Sequence, residues 1–129
     1  MIQLKIITIK QPWATLIAAG YKKYEFRSWK TKYRGPLLIH AGKGIDSQAM
    51  KRFEDLNLSY PKSKIIALVQ LEDCILIDDI FNSQLLNENN KVYGTDDKIG
   101  LYAWKLSNIE NVNINEDIKG RLGLWNIEI

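Results

Sequence analysis

Hydrophobic and polar positions along this chain change period several times, and each change marks an element. Residues 2–9 (IQLKIITI) are short and β-branched and predict a first strand. Pro12 suits the first turn of a helix, where its missing N–H costs nothing. Trp13, Leu16 and Ile17 follow at helical spacing on one face, and Gly20 stands where a left-handed residue closes a helix. Residues 24–29 (YEFRSW) alternate and predict a strand with Glu25 and Arg27 on one face and Tyr24 and Phe26 on the other. On that period Tyr24 and Phe26 belong to the core, which leaves Trp13 and Trp29 as surface aromatics. Arg34-Gly35-Pro36 reads as a turn, and 37–41 as a strand. Asp46 or Ser47 can cap a helix running to about Leu56, with Met50, Phe53 and Leu56 turned inward.

The strongest β segment is 64–77 (KIIALVQLEDCILI), long enough to require a bend or a bulge. Residues 78–93 predict a short helix and then a polar loop with 87–90 at its tip. Two further strands are expected at 99–106 and 109–112, and a last one at 124–129. Gly120 and Gly123, just before it, permit close approach or a bulge. About six strands and two or three short helices make an α+β fold. A compact β-barrel with peripheral helices is the economical arrangement, because closure removes exposed edges. No linker or internal repeat divides the chain, so residues 1–129 are expected to form one domain.

Composition narrows the chemistry. At 129 residues, 46% apolar and 26% charged, the chain can build one core without staples. A single cysteine, Cys74, excludes an internal disulfide and reads as a small buried hydrophobe. A single histidine, His40, rules out a His-rich metal site. Asp78-Asp79 and Asp96-Asp97 are adjacent carboxylates of the kind that solvent usually occupies. Phosphate loops, dinucleotide fingerprints, zinc clusters and nucleophile elbows do not occur, so neither a metal nor a cofactor is expected. No apolar run approaches the roughly 20 residues of a membrane span, and the start lacks a signal-peptide pattern; no membrane partner and a reduced, cytoplasmic setting are expected. The net charge of +3 hides a division. Residues 1–43 carry nine cations and one anion, and 44–129 nine cations and fourteen anions. A polyanion is the obvious partner for the positive pole.

The dense part of that pole is Gly20-Tyr21-Lys22-Lys23-Tyr24-Glu25-Phe26-Arg27-Ser28-Trp29. Lys22, Glu25 and Arg27 together can bind an anion, hold a base edge or position a water. Alternatively Glu25 only steadies its two cations by charge-assisted hydrogen bonds. Aromatics interleave with the cations, a mixture that nucleic-acid modules use for stacking and phosphate contact and that small domains also use to fill cores. Trp104 and Trp125, in apolar strands, read as structural. His40 lies between Ile39 and Ala41 and reads as a core or rim residue. Gln70 and Glu72 share a face of their strand, from which a carboxylate can reach a pocket.

Three stretches carry a resemblance: Thr8-Ile9-Lys10-Gln11-Pro12-Trp13-Ala14-Thr15-Leu16-Ile17; then Gly20-x-Lys22-x-x-Glu25-x-Arg27-Ser28-Trp29; then Tyr33-Arg34-Gly35-x-Leu37-x-Ile39-His40-Ala41. Together they resemble the ASCH domain, the activating signal cointegrator 1 homology domain of the PUA-like superfamily. The similarity is densest over residues 6–43 and continues weakly through 64–74, Tyr102-x-Trp104 and Lys119-Gly120-x-x-Gly123-Leu124-Trp125. It implies a β-barrel with peripheral helices and a cleft lined by the G-x-K-x-x-E-x-R residues. It also implies RNA, or another single-stranded nucleic acid or nucleotide, as partner. The residues expected to contact it are Gln11, Trp13, Lys22, Glu25, Arg27, Ser28, Trp29, Arg34 and His40. A branch of the family resembles small hydrolases acting on N4-acetylcytidine through a lysine, a threonine and a glutamate, and ribonuclease activity is attributed to other members. By position the lysine falls on Lys22, which would act as general base, but the threonine position holds Glu25, and only Glu72 stands in for the glutamate. A third reading makes the acidic remainder, with Glu72, Asp73, Asp78 and Asp79, a docking face for a protein.

Overall fold

The computed structural model describes residues 2–94 and 97–128. Its elements are strands β1 (Gln3–Gln11), β2 (Tyr24–Arg27), β3 (Gly35–Ile45), β4 (Lys64–Leu76), β5 (Tyr102–Asn111) and β6 (Leu124–Glu128). Helices α1 (Trp13–Ala18), α2 (Ser47–Arg52), α3 (Asp79–Glu88) and α4 (Asn90–Tyr93) connect them, with one 3-10 turn at Glu54–Leu56. The strands form one sheet in the order β2-β5-β4-β3-β1-β6. Among the described residues only the β1–β3 pair is parallel. That pair needs a crossover, and α1 and β2 supply it.

The β-branched run of β1 is buried on both faces. Ile7 and Ile9 join Leu37, Ile39, Val69, Leu71, Trp104 and Leu106 in the main core, which Ala14, Ile17 and Ala18 of α1 cover. Ile6 points the other way, against Leu38 and Ile65, under Ile114, Ile118 and Trp125. A second cluster gathers the helices: Leu16 of α1, Ala49 of α2, Phe53, Leu85 of α3, and Val92 and Tyr93 of α4. Helix α1 ends at Gly20, whose φ of +87° is open to glycine at no steric cost.

The expected closed barrel is not formed by strand pairing. Within the described residues β2 and β6 are free edges of an open sheet. The sheet curls instead, so that side chains span the gap: Arg27, at the end of β2, donates to the Thr8 carbonyl of β1 at 2.9 Å. Strand β2 has four residues and stops before Ser28, too short for a backbone ladder to complete the ring.

Three local expectations change. The polar tip at 87–90 is largely helical, because Asn89 accepts from Val92 N–H at 3.1 Å and starts α4. The two strands expected at 99–106 and 109–112 are one, β5, in which Asn108 takes a left-handed φ of 50° and the register against β4 shifts by a bulge. The helix expected from Asp46 to about Leu56 breaks at Phe53 into α2 and the 3-10 turn, with Asp46 as the cap (Ala49 N–H at 3.1 Å) and Phe53 inward. Asp96 and Ile129 lie outside the described residues.

Candidate functional site

Lys22, Glu25 and Arg27 meet at the end of the gap between β2 and β1. Lys22 leaves the turn after α1, where its backbone N–H donates to Leu16 O, and Glu25 and Arg27 leave β2 on the same face. Lys22 Nζ donates to Glu25 Oε1 at 2.9 Å. Arg27 Nε donates to Glu25 Oε2 at 3.1 Å, and Nη2 lies 3.0 Å from the same oxygen. Lys22 is 3% exposed and Glu25 7%. Both carboxylate oxygens are therefore spent on cations. Burial alone would raise the Glu25 carboxyl, but the Lys22 and Arg27 charges and their hydrogen bonds outweigh it and hold the group below its ordinary value. The Lys22 ammonium also lies 4.9 Å from the Phe26 ring centre and 5.1 Å from that of Trp13.

Both faces of β2 are packed: Glu25 is buried on one, and the aromatic face joins the helix cluster as expected, so burial does not separate the two. Tyr24 and Phe26 are half-buried and pack edge-on against Tyr93 of α4. Burial pushes the Tyr93 hydroxyl up to about 12, so it stays protonated.

The three residues line a cavity of about 550 Å³, within the usual range for a small-molecule pocket. Among the described residues six cations line it (Lys10, Lys22, Arg27, Lys43, Lys98 and Arg121) against one carboxylate, Glu25. Phe26, Val92, Tyr93 and Leu101 give it an apolar side. Lys98 is buried and donates to the Tyr93 carbonyl.

Of the other expected contact residues, Trp13 lines the pocket but does not offer a bare ring. Besides Lys22 it carries the Arg52 guanidinium at 5.7 Å, meets Phe53 edge-on, and donates Nε1 to Asp46 at 3.3 Å. Gln11 is fully buried; its Oε1 accepts from Thr15 N–H and its Nε2 donates to Pro61 O, both at 2.9 Å, so it steadies α1. Trp29 packs edge-on against Trp104, and Ser28 is exposed outside the pocket lining. Arg34 donates to the Thr31 and Tyr33 carbonyls and pairs with Asp73 at 3.3 Å.

His40 is fully buried beside the pocket rather than in it. Its Nε2 lies 2.7 Å from the Ile118 carbonyl and its Nδ1 3.1 Å from Thr8 Oγ1, which accepts from Trp125 Nε1 at 3.3 Å. An indole only donates and a carbonyl only accepts. The arrangement that satisfies every group is a neutral imidazole with its hydrogen on Nε2. Burial lowers the His40 pKa accordingly.

Glu72 is exposed and absent from the pocket lining, Asp73 is held by Arg34, and Asp78 caps α3 through Phe81 N–H at 2.8 Å. Cys74 is half-buried against the main core. Among the described residues no three His, Cys, Asp or Glu side chains group as metal ligands, and no helix is long and apolar enough to cross a membrane. Lys10, Lys43, Lys98 and Arg121 were not among the expected contacts. Lys10 and Lys43 lie in the basic N-terminal third, and Arg121 lies inside the Lys119-Gly120-x-x-Gly123 stretch.

Comparison with known proteins agrees with this architecture. Activating signal cointegrator 1 of Mus musculus and of Homo sapiens are each 35% identical over 81 residues, covering 54% of this chain and 14% of theirs. The chain thus spans a small part of the curated relatives it matches. The crystal structure of ASCH from Zymomonas mobilis, and that of a point mutant of it, superpose with a TM-score of 0.58 at 14% identity over 96% of this chain, covering 87% and 89% of theirs, a likeness of fold. The family model described as the ASCH domain matches residues 7–119, and the chain belongs to that family.

Proposed function

We propose that this chain binds single-stranded RNA and seats a phosphate of the strand between Lys22 and Arg27. A count of donors carries the reading. The ammonium has three hydrogens and gives one to Glu25. The guanidinium has five; Nε gives one to Glu25 and Nη2 one to the Thr8 carbonyl, with Nη2 also in ion-pair contact with Glu25 at 3.0 Å. Two hydrogens on Lys22 Nζ, which otherwise faces only the Trp13 and Phe26 rings, and two on Arg27 Nη1 have no hydrogen-bond partner among the described residues, and both side chains line the pocket. Donors of this kind, backed by a carboxylate that fixes them, with Lys22 buried and Arg27 open to the pocket, suit a phosphate. The apolar side formed by Phe26, Val92 and Leu101 suits the attached base. ASCH domains are commonly associated with RNA binding, which agrees with the basic lining.

The hydrolase reading is less supported. Lys22 is tied to Glu25 as an ion pair, the threonine position is the paired carboxylate itself, and Glu72 does not line the pocket.

Fluorescence anisotropy with a short unstructured RNA at low salt tests the proposal. The expected dissociation constant is about 1–100 µM, and Lys22→Met, which keeps the stem and removes the ammonium, weakens binding at least about tenfold. Absence of binding, or equal binding by Lys22→Met, contradicts it. Tighter binding to DNA of the same sequence would replace RNA as the partner.

A further inference from the structure

A second cavity, of about 790 Å³, adjoins the first. Thr8, Gly42, Lys43, Arg121 and Leu122 line both, so the two are parts of one groove. Thr8 is the partition. Its carbonyl accepts from Arg27 at 2.9 Å on the side of the first pocket, and its hydroxyl meets His40 and Trp125 on the side of the second. The Arg121 guanidinium lies over the Trp125 ring at 5.5 Å, so the same hydroxyl indirectly steadies the cation at the junction. Gly120 lets the wall of the second cavity lie close, because a Cβ there would come within 2.9 Å of Thr8 Cγ2.

We propose that the second cavity takes the neighbouring nucleotide of the strand, with the linking phosphate between Lys43 and Arg121. This rests on the RNA reading of the first pocket and adds to it that the ligand is a strand of at least two nucleotides rather than a free mononucleotide. Lys43 and Arg121 are exposed cations at the shared wall, and Lys119 is a third on the second cavity alone. The acidic side chain of that cavity, Asp117, is held by Lys64 at 2.5 Å and opposes a phosphate little. His40 has both ring nitrogens engaged and forms a neutral floor.

Calorimetric titration of the whole chain with uridine 5′-monophosphate and with 5′-phosphorylated tetrauridylate tests the inference. The strand is expected to bind at least about tenfold tighter than the mononucleotide, since stacking and phosphate neutralisation both grow with length. Lys119→Glu, an exposed surface change, is expected to remove most of that advantage and leave mononucleotide affinity within about twofold. Equal affinity for the two ligands overturns this inference while the RNA reading stands. So does an advantage that Lys119→Glu leaves intact, or a loss by that variant that is the same for both ligands. If neither ligand binds the wild-type chain, the RNA reading falls and this inference with it.

Discussion

Glu25 is where the account is most exposed to test at the scale of a residue. A carboxylate that neutralises two poorly solvated cations holds them in place, and removing one member of such a set costs more than the set itself contributes. Glu25→Gln keeps the shape and deletes the charge. It is expected to destabilise the fold by about 3 kcal/mol in urea denaturation at neutral pH. The pH dependence has a definite sign. The folded-state pKa of Glu25 lies below the ordinary 4.5, so its contribution is complete above that pH and is lost as the pH falls through the folded value. The gap between wild type and variant should therefore narrow in acid. A simple sum of charges predicts tighter RNA binding by Glu25→Gln, whereas a positioning role predicts weaker binding in the variant that remains folded. The association of Glu25 with Arg27 is legible in the sequence because a strand repeats every two residues. That the Glu25 face is buried as well as the aromatic one is not, since the aromatic face already has its cover in Tyr93 of α4, which is far away in sequence. Trp13 illustrates the same limit, because the cations that occupy its ring include Arg52 of α2.

At the scale of elements, the segment before β6 is held to β1 and β3 by a directional chain: Trp125 donates to Thr8, Thr8 to His40, and His40 to Ile118. Thr8→Val is nearly isosteric and leaves a half-buried indole N–H and a buried imidazole nitrogen without partners, a loss of about 2 kcal/mol. His40 stays neutral in the fold, with a pKa lowered from 6.5. The unfolded chain therefore takes up its proton first as the pH falls, and stability declines below about 6.5, with a limiting slope near 1.4 kcal/mol per pH unit from this group. Urea midpoints between pH 7.5 and 5.5 should show the decline, and a flat profile there would contradict the assignment. The strands of the sheet were largely legible from β-branched runs. The fusion of two expected strands into β5 was not, because Ser107-Asn108 has the composition of a turn, and only pairing with β4 makes it a bulge. The cap on α4 was hidden for a similar reason: Asn89 sits in a run of polar residues that reads equally as a loop.

At the scale of the molecule, the division of charge along the chain finds the right region and an incomplete site. Lys10, Lys22, Arg27 and Lys43 come from the basic third and reach the pocket. Lys98 and Arg121 come from the acidic remainder, and Lys30, Lys32 and Arg34 from the basic third do not line it. Chain position could not reveal this, since the curl of the sheet brings the end of β2 to β1 and the loop before β6 to the same mouth. Nor could it show that Arg27 reaches from β2 to β1 across an open gap with no backbone ladder, because the length of β2 is set where β5 stops pairing with it. The central claim is that Lys22 and Arg27, fixed by Glu25, form a ready seat for one phosphate. A crystal structure of the chain with a short 5′-phosphorylated oligouridylate tests it most directly. The account predicts a phosphate within hydrogen-bond distance of Lys22 Nζ and Arg27 Nη1, with Glu25 still bridging both cations. A phosphate bound elsewhere while this pocket stays free of the strand, or one that binds only after Glu25 has released its partners, would contradict it.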